Sequence, residues 1–350
     1  MYDIANDVEP AWDIVALETK DECLISSVSK VVYRNNIYYV LDRKINALFL
    51  FDSAGKFLSK INKRGRGPDE YSDASAFVVV GKNIWISDGN MRSLICYDEN
   101  LEMIDRFNTW EIMGADHIEY ANETIYMANN WTGWKDEGNI AFGAYDVASK
   151  QVTEFVHTPR RGDDVARMRK QGQLSQLGDT CLFYHAFCDT IFQAYGDTCT
   201  PAYKVIFSER YEDIPLPIEK ILDPDTKHII RGLEDIDQTR NTVLIGYFES
   251  DFFVSALYDK KTGTCQVYRK IINSNLNNLP IYRYNTFFDG DQIISAYDNL
   301  EPVVNAFAYG KLNELKNESD KEKIRSALTG LTSYSNPVLI RFKLREDSKL

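Results

Sequence analysis

The chain has 350 residues, 44% of them hydrophobic and 13% aromatic, with a formal charge of -12. That is ample material for a core, and the Tyr and Phe content leans toward strands; the acidic balance and a pI near 5.0 argue against nucleic-acid binding, which needs clustered Lys and Arg. Apolar runs such as NALFLF and AFVVV are far too short to span a bilayer, and no basic stretch leads into an apolar one, so an export signal is expected to be absent from this chain.

In chain order, AWDIVALE at residues 11–18 reads as a lone strand. VVYRNNIYYVLDRKINALFLFDSAGKFLSKI (31–61) then reads as four strands, and FVVVGKNIWISDGNMRSLICYDENLEMIDRF (77–107) repeats that layout about 47 positions on. In both copies a strand closes on Asp (Asp42, Asp88) and a later one ends in aromatic-Asp (Phe51-Asp52, Tyr97-Asp98). A third copy begins at IEYANETIYMANN, a fourth covers 176–207 and a fifth 241–271. Four short strands per unit at this period is the sequence sign of propeller blades. The sixth is assembled from IYRYNTFF, QIISAYD and NPVLIRFKL (336–344), with 11–18 as the missing outer strand, since a ring that draws its last blade from both termini leaves no open edge.

The expectation is therefore an all-β, six-bladed β-propeller of four-stranded antiparallel blades forming one domain over 1–350. Its blades fall near 20–62, 72–108, 116–157, 174–208, 236–272 and 281–344, the last completed by 11–18. One helix is expected in the sixth blade's insertion, at 313–331, from the spacing of Leu315, Ile324, Leu328 and Leu331 with Gly330 near its end. PIEKILDPDTKHIIRGL holds another helical turn or two, interrupted at Pro224, and little other helix is expected. The first-to-second and third-to-fourth turns are short and rich in Asn, Gly and Asp, whereas nearly every long segment joins the second to the third strand or one blade to the next. In an up-and-down blade those two classes of loop share a face, where function is usually carried.

The segments VALETKDECLISSVSKVVYRNNIYYVLD, LFLFDSAGKFLSKINKRGRGPDEY and SNPVLIRFKL resemble the NHL-like six-bladed propellers of exported proteins and lipoproteins in Gram-negative gut bacteria, mostly domains of unknown function. The resemblance spans almost the whole chain, with GKFL followed by GRGPDEY its most specific piece. It implies export to the periplasm or outer surface, often with a lipidated Cys near the start of the precursor. The opening MYDIANDVEP carries no such Cys, so the chain is expected to be a trimmed or mature portion. The resemblance supplies no catalytic residues.

Candidate sites follow from the long loops. KINKRGRGPDEYSD (60–73) lacks the GxxxxGK[ST] of a phosphate-binding loop. Two readings remain: Gly65, Gly67 and Pro68 shape a tight crossing, or Arg64 and Arg66, beside Tyr71, also grip an acidic ligand through their planar forks, with Glu70 an equally available internal partner. NNWTGWKDEGN places Trp131 and Trp134 in a polar loop, where exposed indoles stack on sugars or apolar ligands unless they pack over neighbouring loops. His185, beside a second-to-third strand loop, is a further candidate, with a partly packed ring as the plain alternative. Asp223 with Asp225, and Asp289 with Asp291, offer oxygens to Ca2+, but neither pair continues into an EF-hand pattern, and solvated turns are expected. Four scattered histidines form no metal-ligand pairing, and Arg161-Gly162-Asp163 is too short a motif to carry an adhesion reading. No CxxC occurs among Cys23, Cys96, Cys181, Cys188, Cys199 and Cys265; buried free thiols are expected, with one bridge among the middle three open in an oxidising compartment.

These readings converge on a non-catalytic, exported propeller that binds a glycan, a peptide or an envelope protein through its loop-rich face, with no required cofactor, no nucleic acid and no transmembrane segment. The alternatives are a metal-dependent hydrolase or lyase acting on a sugar or lactone at the central channel, and a structural spacer in an envelope assembly.

Overall fold

Tight turns set the strand pairing. Asn35-Asn36, Gly81-Lys82, Asn122-Glu123, Gly178-Asp179 and Gly290-Asp291 each join two strands with only two residues. The backbone turns left-handed there, with φ of 53° and 62° at Asn35 and Asn36 and 62° at Gly81. That hand matches the right-handed twist of the strands, and Asn and Gly are the residues that reach it cheaply. The structure is a computed structural model that describes residues 1–109, 114–129, 139–158, 173–185, 189–207, 232–249, 252–307 and 310–350.

The chain divides into two units, Met1–Arg64 with Lys270–Leu350, and Gly65–Arg269. The second unit holds four antiparallel four-stranded sheets, each a meander of consecutive strands. Their strands are Ala74–Val80, Asn83–Asp88, Ser93–Tyr97 and Met103–Asn108; His117–Ala121, Thr124–Ala128, Asn139–Asp146 and Val152–Thr158; Leu174–Leu177, Thr180–Tyr184, Thr190–Tyr195 and Thr198–Lys204; and Leu233–Gln238, Thr242–Glu249, Phe252–Asp259 and Cys265–Tyr268. Aromatics fill the spaces between successive sheets. Phe107 stacks on Tyr145 at 4.3 Å between ring centroids, and Phe142 stacks on Phe183 at 4.4 Å.

The first unit contains two more four-stranded sheets and a smaller one. Lys30–Arg34, Ile37–Asp42, Ala47–Asp52 and Phe57–Ile61 form one meander. The next draws on both ends of the chain, in the order Val8–Ala16, Val338–Leu344, Gln292–Tyr297, Thr286–Asp289. Trp12 pairs with Phe342 and Ala16 with Val338. Val15, Leu17 and Leu339 of this sheet pack with Tyr38, Val40 and Phe49 of the meander. Asp7, nearly fully buried, fastens the ends further by accepting from the Tyr2 hydroxyl at 2.8 Å and the Lys349 amide at 2.6 Å.

The expected count of six blades is overturned: the described residues form seven sheets. The seventh is three-stranded, with Tyr2–Asp3 parallel to Ile271–Asn273, which pairs antiparallel with Leu279–Ile281. Its strands are two or three residues long, too short to show the alternation on which a strand assignment rests. The segment IYRYNTFF, expected to be a single strand, divides accordingly. Ile281 closes the small sheet and Thr286–Asp289 opens the next.

Helix α1 (Glu301–Phe307) was not expected; its start is marked by Asn299, whose side-chain oxygen accepts from the Glu301 amide at 3.0 Å. Helix α2 (Glu318–Leu328) lies within the expected helical insertion. Asn317 caps it by accepting from the Ser319 amide at 3.0 Å, and Gly330 follows it at φ 79°.

Candidate functional site

Aspartates noticed in the repeat prove to be fasteners. Asp42 and Asp88 end the second strands of their sheets and are fully buried. Asp88 accepts from the Ser72 amide at 2.7 Å, the Ser72 hydroxyl at 3.0 Å and the Asn90 and Met91 amides at 3.2 and 2.9 Å. Asp42 does the same with the amides of Ser26, Ser27, Lys44 and Ile45. Each carboxylate thereby pins the arriving linker to the turn that leaves the strand. Asp52 and Asp98 act lower in scale, each closing its own third-to-fourth turn by accepting from amides two and four residues on.

The linker that Asp88 anchors is the GRGPDEYSD loop. Within it the Gly65 amide donates to the Tyr71 carbonyl at 2.9 Å, and the Gly67 amide donates to the Glu70 carboxylate at 2.8 Å. Glu70 folds so closely over the loop that a Cβ on Gly65 would stand 1.8 Å from its Oε2. From the sheet below, the Tyr97 hydroxyl donates to the Asp69 carbonyl at 2.9 Å, and Arg106 donates to the Pro68 carbonyl at 2.9 Å. Burial pushes the Tyr97 phenol well above its ordinary range. It is a fixed donor to Asp69 and no proton source near neutrality.

The crest of this pinned loop is basic. Arg66 is exposed and makes no ion pair or hydrogen bond with another described residue. Arg64, two positions earlier, is likewise exposed and unpaired among the described residues. Tyr71 is fully buried, so its ring belongs to the packing under the loop. His185 is also buried, directly after strand Thr180–Tyr184. Trp131, Trp134, Asp223, Asp225 and Arg161 to Asp163 lie outside the described residues. Asp289 is held by Arg34 in a two-pronged ion pair, and Asp291 sits 3.9 Å from Lys343. Among the described residues no group of three or more His, Cys, Asp or Glu is arranged to hold a metal ion.

The five described cysteines, Cys23, Cys96, Cys181, Cys199 and Cys265, form no disulfide with one another, and Cys188 lies outside the described residues. Burial pushes the Cys96 thiol up to about 12 and the Cys199 thiol up to about 11, which leaves neither a nucleophile near neutrality. Glu70, available by sequence as an internal partner for the arginines, instead accepts from the Gly67 amide, and Arg106 was missed as a loop-setting residue. The only signal for Glu70 was the crowding of glycine around an acid in GRGPDE, and for Arg106 there was none.

Four-stranded antiparallel meanders repeated in this way define an all-β propeller. The chain belongs to the family of the domain of unknown function DUF4934, whose model matches residues 5–343. Among solved structures it resembles an exported protein from Bacteroides fragilis at 16% identity and a TM-score of 0.69, over 98% of this chain and 97% of that one. A member of the DUF4221 family from Bacteroides vulgatus aligns at 11% identity and a TM-score of 0.55, over 97% and 99%. Virginiamycin B lyase from Staphylococcus aureus aligns at 9% identity and a TM-score of 0.50, over 81% and 95%. At these identities the likeness is one of fold. No curated protein matches the sequence. No helix among the described residues is long and apolar enough to cross a membrane.

Proposed function

We propose that this protein is an exported, non-catalytic binding module, placed in the periplasm or on the outer surface, which recognises an acidic ligand through its long loops. One observation carries the reading: Arg66 stands exposed and unpaired among the described residues on a loop whose backbone is fixed by Glu70, Tyr97, Arg106 and Asp88. A guanidinium held by a rigid loop loses little freedom on binding and matches a carboxylate or sulfate in two-pronged fashion. Arg64 adds a second cation two residues away, and Trp131 and Trp134 are the stacking candidates for a sugar ring. Export is supported by the fold shared with the Bacteroides fragilis protein.

The test is an array of sulfated and carboxylated glycans and acidic peptides, probed with the wild type and with Arg64→Ala, Arg66→Ala, Trp131→Ala and Trp134→Ala. Binding that weakens at least tenfold in Arg66→Ala supports the assignment. Equal binding by the wild type and both arginine variants removes it.

A further inference from the structure

Strand Val8–Ala16 is the edge of its sheet, and one side of it faces a cleft. The cleft has a volume of about 560 Å³ and lies between residues 14–19 of that strand and its continuation and the last turn of α2 with the segment that follows. The hydrogen-bonding phase of the strand is fixed by its register. Ile14 pairs with Ile340, Val15 with Leu339 and Ala16 with Val338. The Leu17 amide continues the ladder by donating to the Pro337 carbonyl at 3.1 Å. In an antiparallel ladder such exchanges fall on alternate residues. Asp13, Val15 and Leu17 therefore face the partner strand, and the N–H and C=O groups of Trp12, Ile14, Ala16 and Glu18 face outward.

Two of those outward residues are already engaged. The Trp12 carbonyl accepts from Lys323 of α2 at 3.2 Å, and the Glu18 amide donates to the Gly55 carbonyl at 2.8 Å. Between these two stoppers, the Ile14 amide and carbonyl and the Ala16 amide meet no described residue. Of the polar side chains around the cleft, the Ser326 hydroxyl makes no hydrogen bond with a described residue, and most of the others are engaged. Glu18 accepts from the Phe57 amide and pairs with Lys20, Thr19 accepts from the Asn336 amide, Thr329 donates to the Arg325 carbonyl, and Ser335 accepts from the Thr332 amide. The cleft lining also contains no aromatic platform on which a sugar would stack. Besides the Ser326 hydroxyl on the helix side, what the cleft offers is backbone: a donor, an acceptor and a second donor in strand spacing.

We propose that this cleft is a strand-addition site for a short extended peptide segment of a partner protein. Three consecutive extended residues of the incoming segment, running in either direction, satisfy the Ile14 amide, the Ile14 carbonyl and the Ala16 amide. The Gly55 turn and Lys323 limit the register to that window. The site shares no residue with the Arg66 loop, so loss of either one leaves the other testable.

Proline substitution tests it directly, because Pro is tolerated on an edge strand where its nitrogen faces away from the ladder. A random-heptapeptide display library is selected on the full chain, and recovered peptides are synthesised and titrated against the wild type, Ile14→Pro, Ala16→Pro and Ala327→Trp, which fills the cleft from the helix side and leaves the strand's own sequence unchanged. Thermal melts confirm folding of each variant, and Arg66→Ala serves as the control. The expected result is peptides whose affinity falls about tenfold in each proline variant and in Ala327→Trp, is unchanged in Arg66→Ala, and is lost when the peptide backbone is N-methylated. Binding also slows hydrogen exchange of the Ile14 and Ala16 amides. The proposal is overturned if no selected peptide depends on these positions, if N-methylation is without effect, or if maltotetraose protects the same amides as well as a peptide does.

Discussion

The turn carrying Gly55 closes the first meander and also seals the end of the N-terminal strand, so a single methyl group there has a predictable cost. Gly55 has φ 84°, and a Cβ on it would stand 2.4 Å from the Ala16 carbonyl oxygen and 2.6 Å from a methyl of Val15. The left-handed backbone alone costs a non-glycine residue about 1–2 kcal/mol. Relief of the clash requires the turn to withdraw from the strand, which breaks the 2.8 Å bond from the Glu18 amide to the Gly55 carbonyl and repacks Val15, at a further ~2–3 kcal/mol. Gly55→Ala should therefore lower stability by about 4 kcal/mol. Gly290→Ala, in the same unit, isolates the backbone part, because Gly290 has φ 62° and no described residue comes within 4 Å of where a Cβ would stand; it should cost only about 1–2 kcal/mol. Equilibrium urea unfolding followed by tryptophan fluorescence measures both. Equal losses in the two variants would refute the steric argument. Leu101 provides the opposite sign, since it adopts φ 63° in the third-to-fourth turn of the next sheet, the place Gly55 takes in the first. Leu101→Gly should stabilise the protein by up to ~1 kcal/mol.

Asp88→Ala should cost about 3 kcal/mol, because it strands the amides of Ser72, Asn90 and Met91 near a buried position. Asp88→Asn should recover part of that loss, and urea unfolding showing less than ~1 kcal/mol for the alanine variant would mean that the carboxylate is not the fastener. Lys260 is half-buried and donates to the Thr239 carbonyl at 2.7 Å; burial brings its amine down to about 8. Below that pH the native state bears the full burden of the buried charge, and from about pH 8 to ~10.4 the unfolded chain holds a proton that the native state has released. Stability should therefore rise with pH through that window, and Lys260→Met should remove the rise. Acetylation with limiting anhydride, read by mass spectrometry, should give a midpoint near 8 for Lys260; a midpoint above 10 would contradict it.

The parts of the fold legible in the sequence are those with local causes. Asn35-Asn36 and Gly81 announce their hairpins because few residues reach left-handed φ cheaply. Asp42 and Asp88 stand at equivalent points because in both of these meanders the carboxylate catches the incoming linker. The small sheet was not legible because Tyr2 pairs in parallel with Ile271, a contact that no local pattern encodes. Its one local trace is Asn277-Asn278, both left-handed, in the link between Ile271–Asn273 and Leu279–Ile281. Helix α1 was hidden for a different reason. Pro302 sits in its first turn, where it is compatible with a helix but reads along the sequence as a breaker. The RGRG loop was legible as a turn and as a basic crest, but not as a pinned one. Its clamps reach from Tyr97 and Arg106, 28 and 39 residues away from their partners Asp69 and Gly67.

Polarity by itself proved a poor guide to sites in a chain with 52 acidic residues. Most conspicuous polar groups turn out to be occupied in holding blades and turns together: Asp42, Asp52, Asp88 and Asp98 close loops, and Asp289, which had suggested Ca2+, is matched by Arg34. Among the described residues, the groups left over include the guanidinium groups of Arg64 and Arg66 and the outward backbone of Ile14 and Ala16. An unmatched group on a mobile loop would be ordinary, because water satisfies it at little cost. An unmatched group on a backbone clamped on both sides is different, since the ordering entropy that recognition requires has already been met in folding. This distinction makes the Arg66 variants informative beyond charge: Tyr97→Phe, which frees the Asp69 carbonyl from its clamp, should weaken acidic-ligand binding although it leaves every basic group in place.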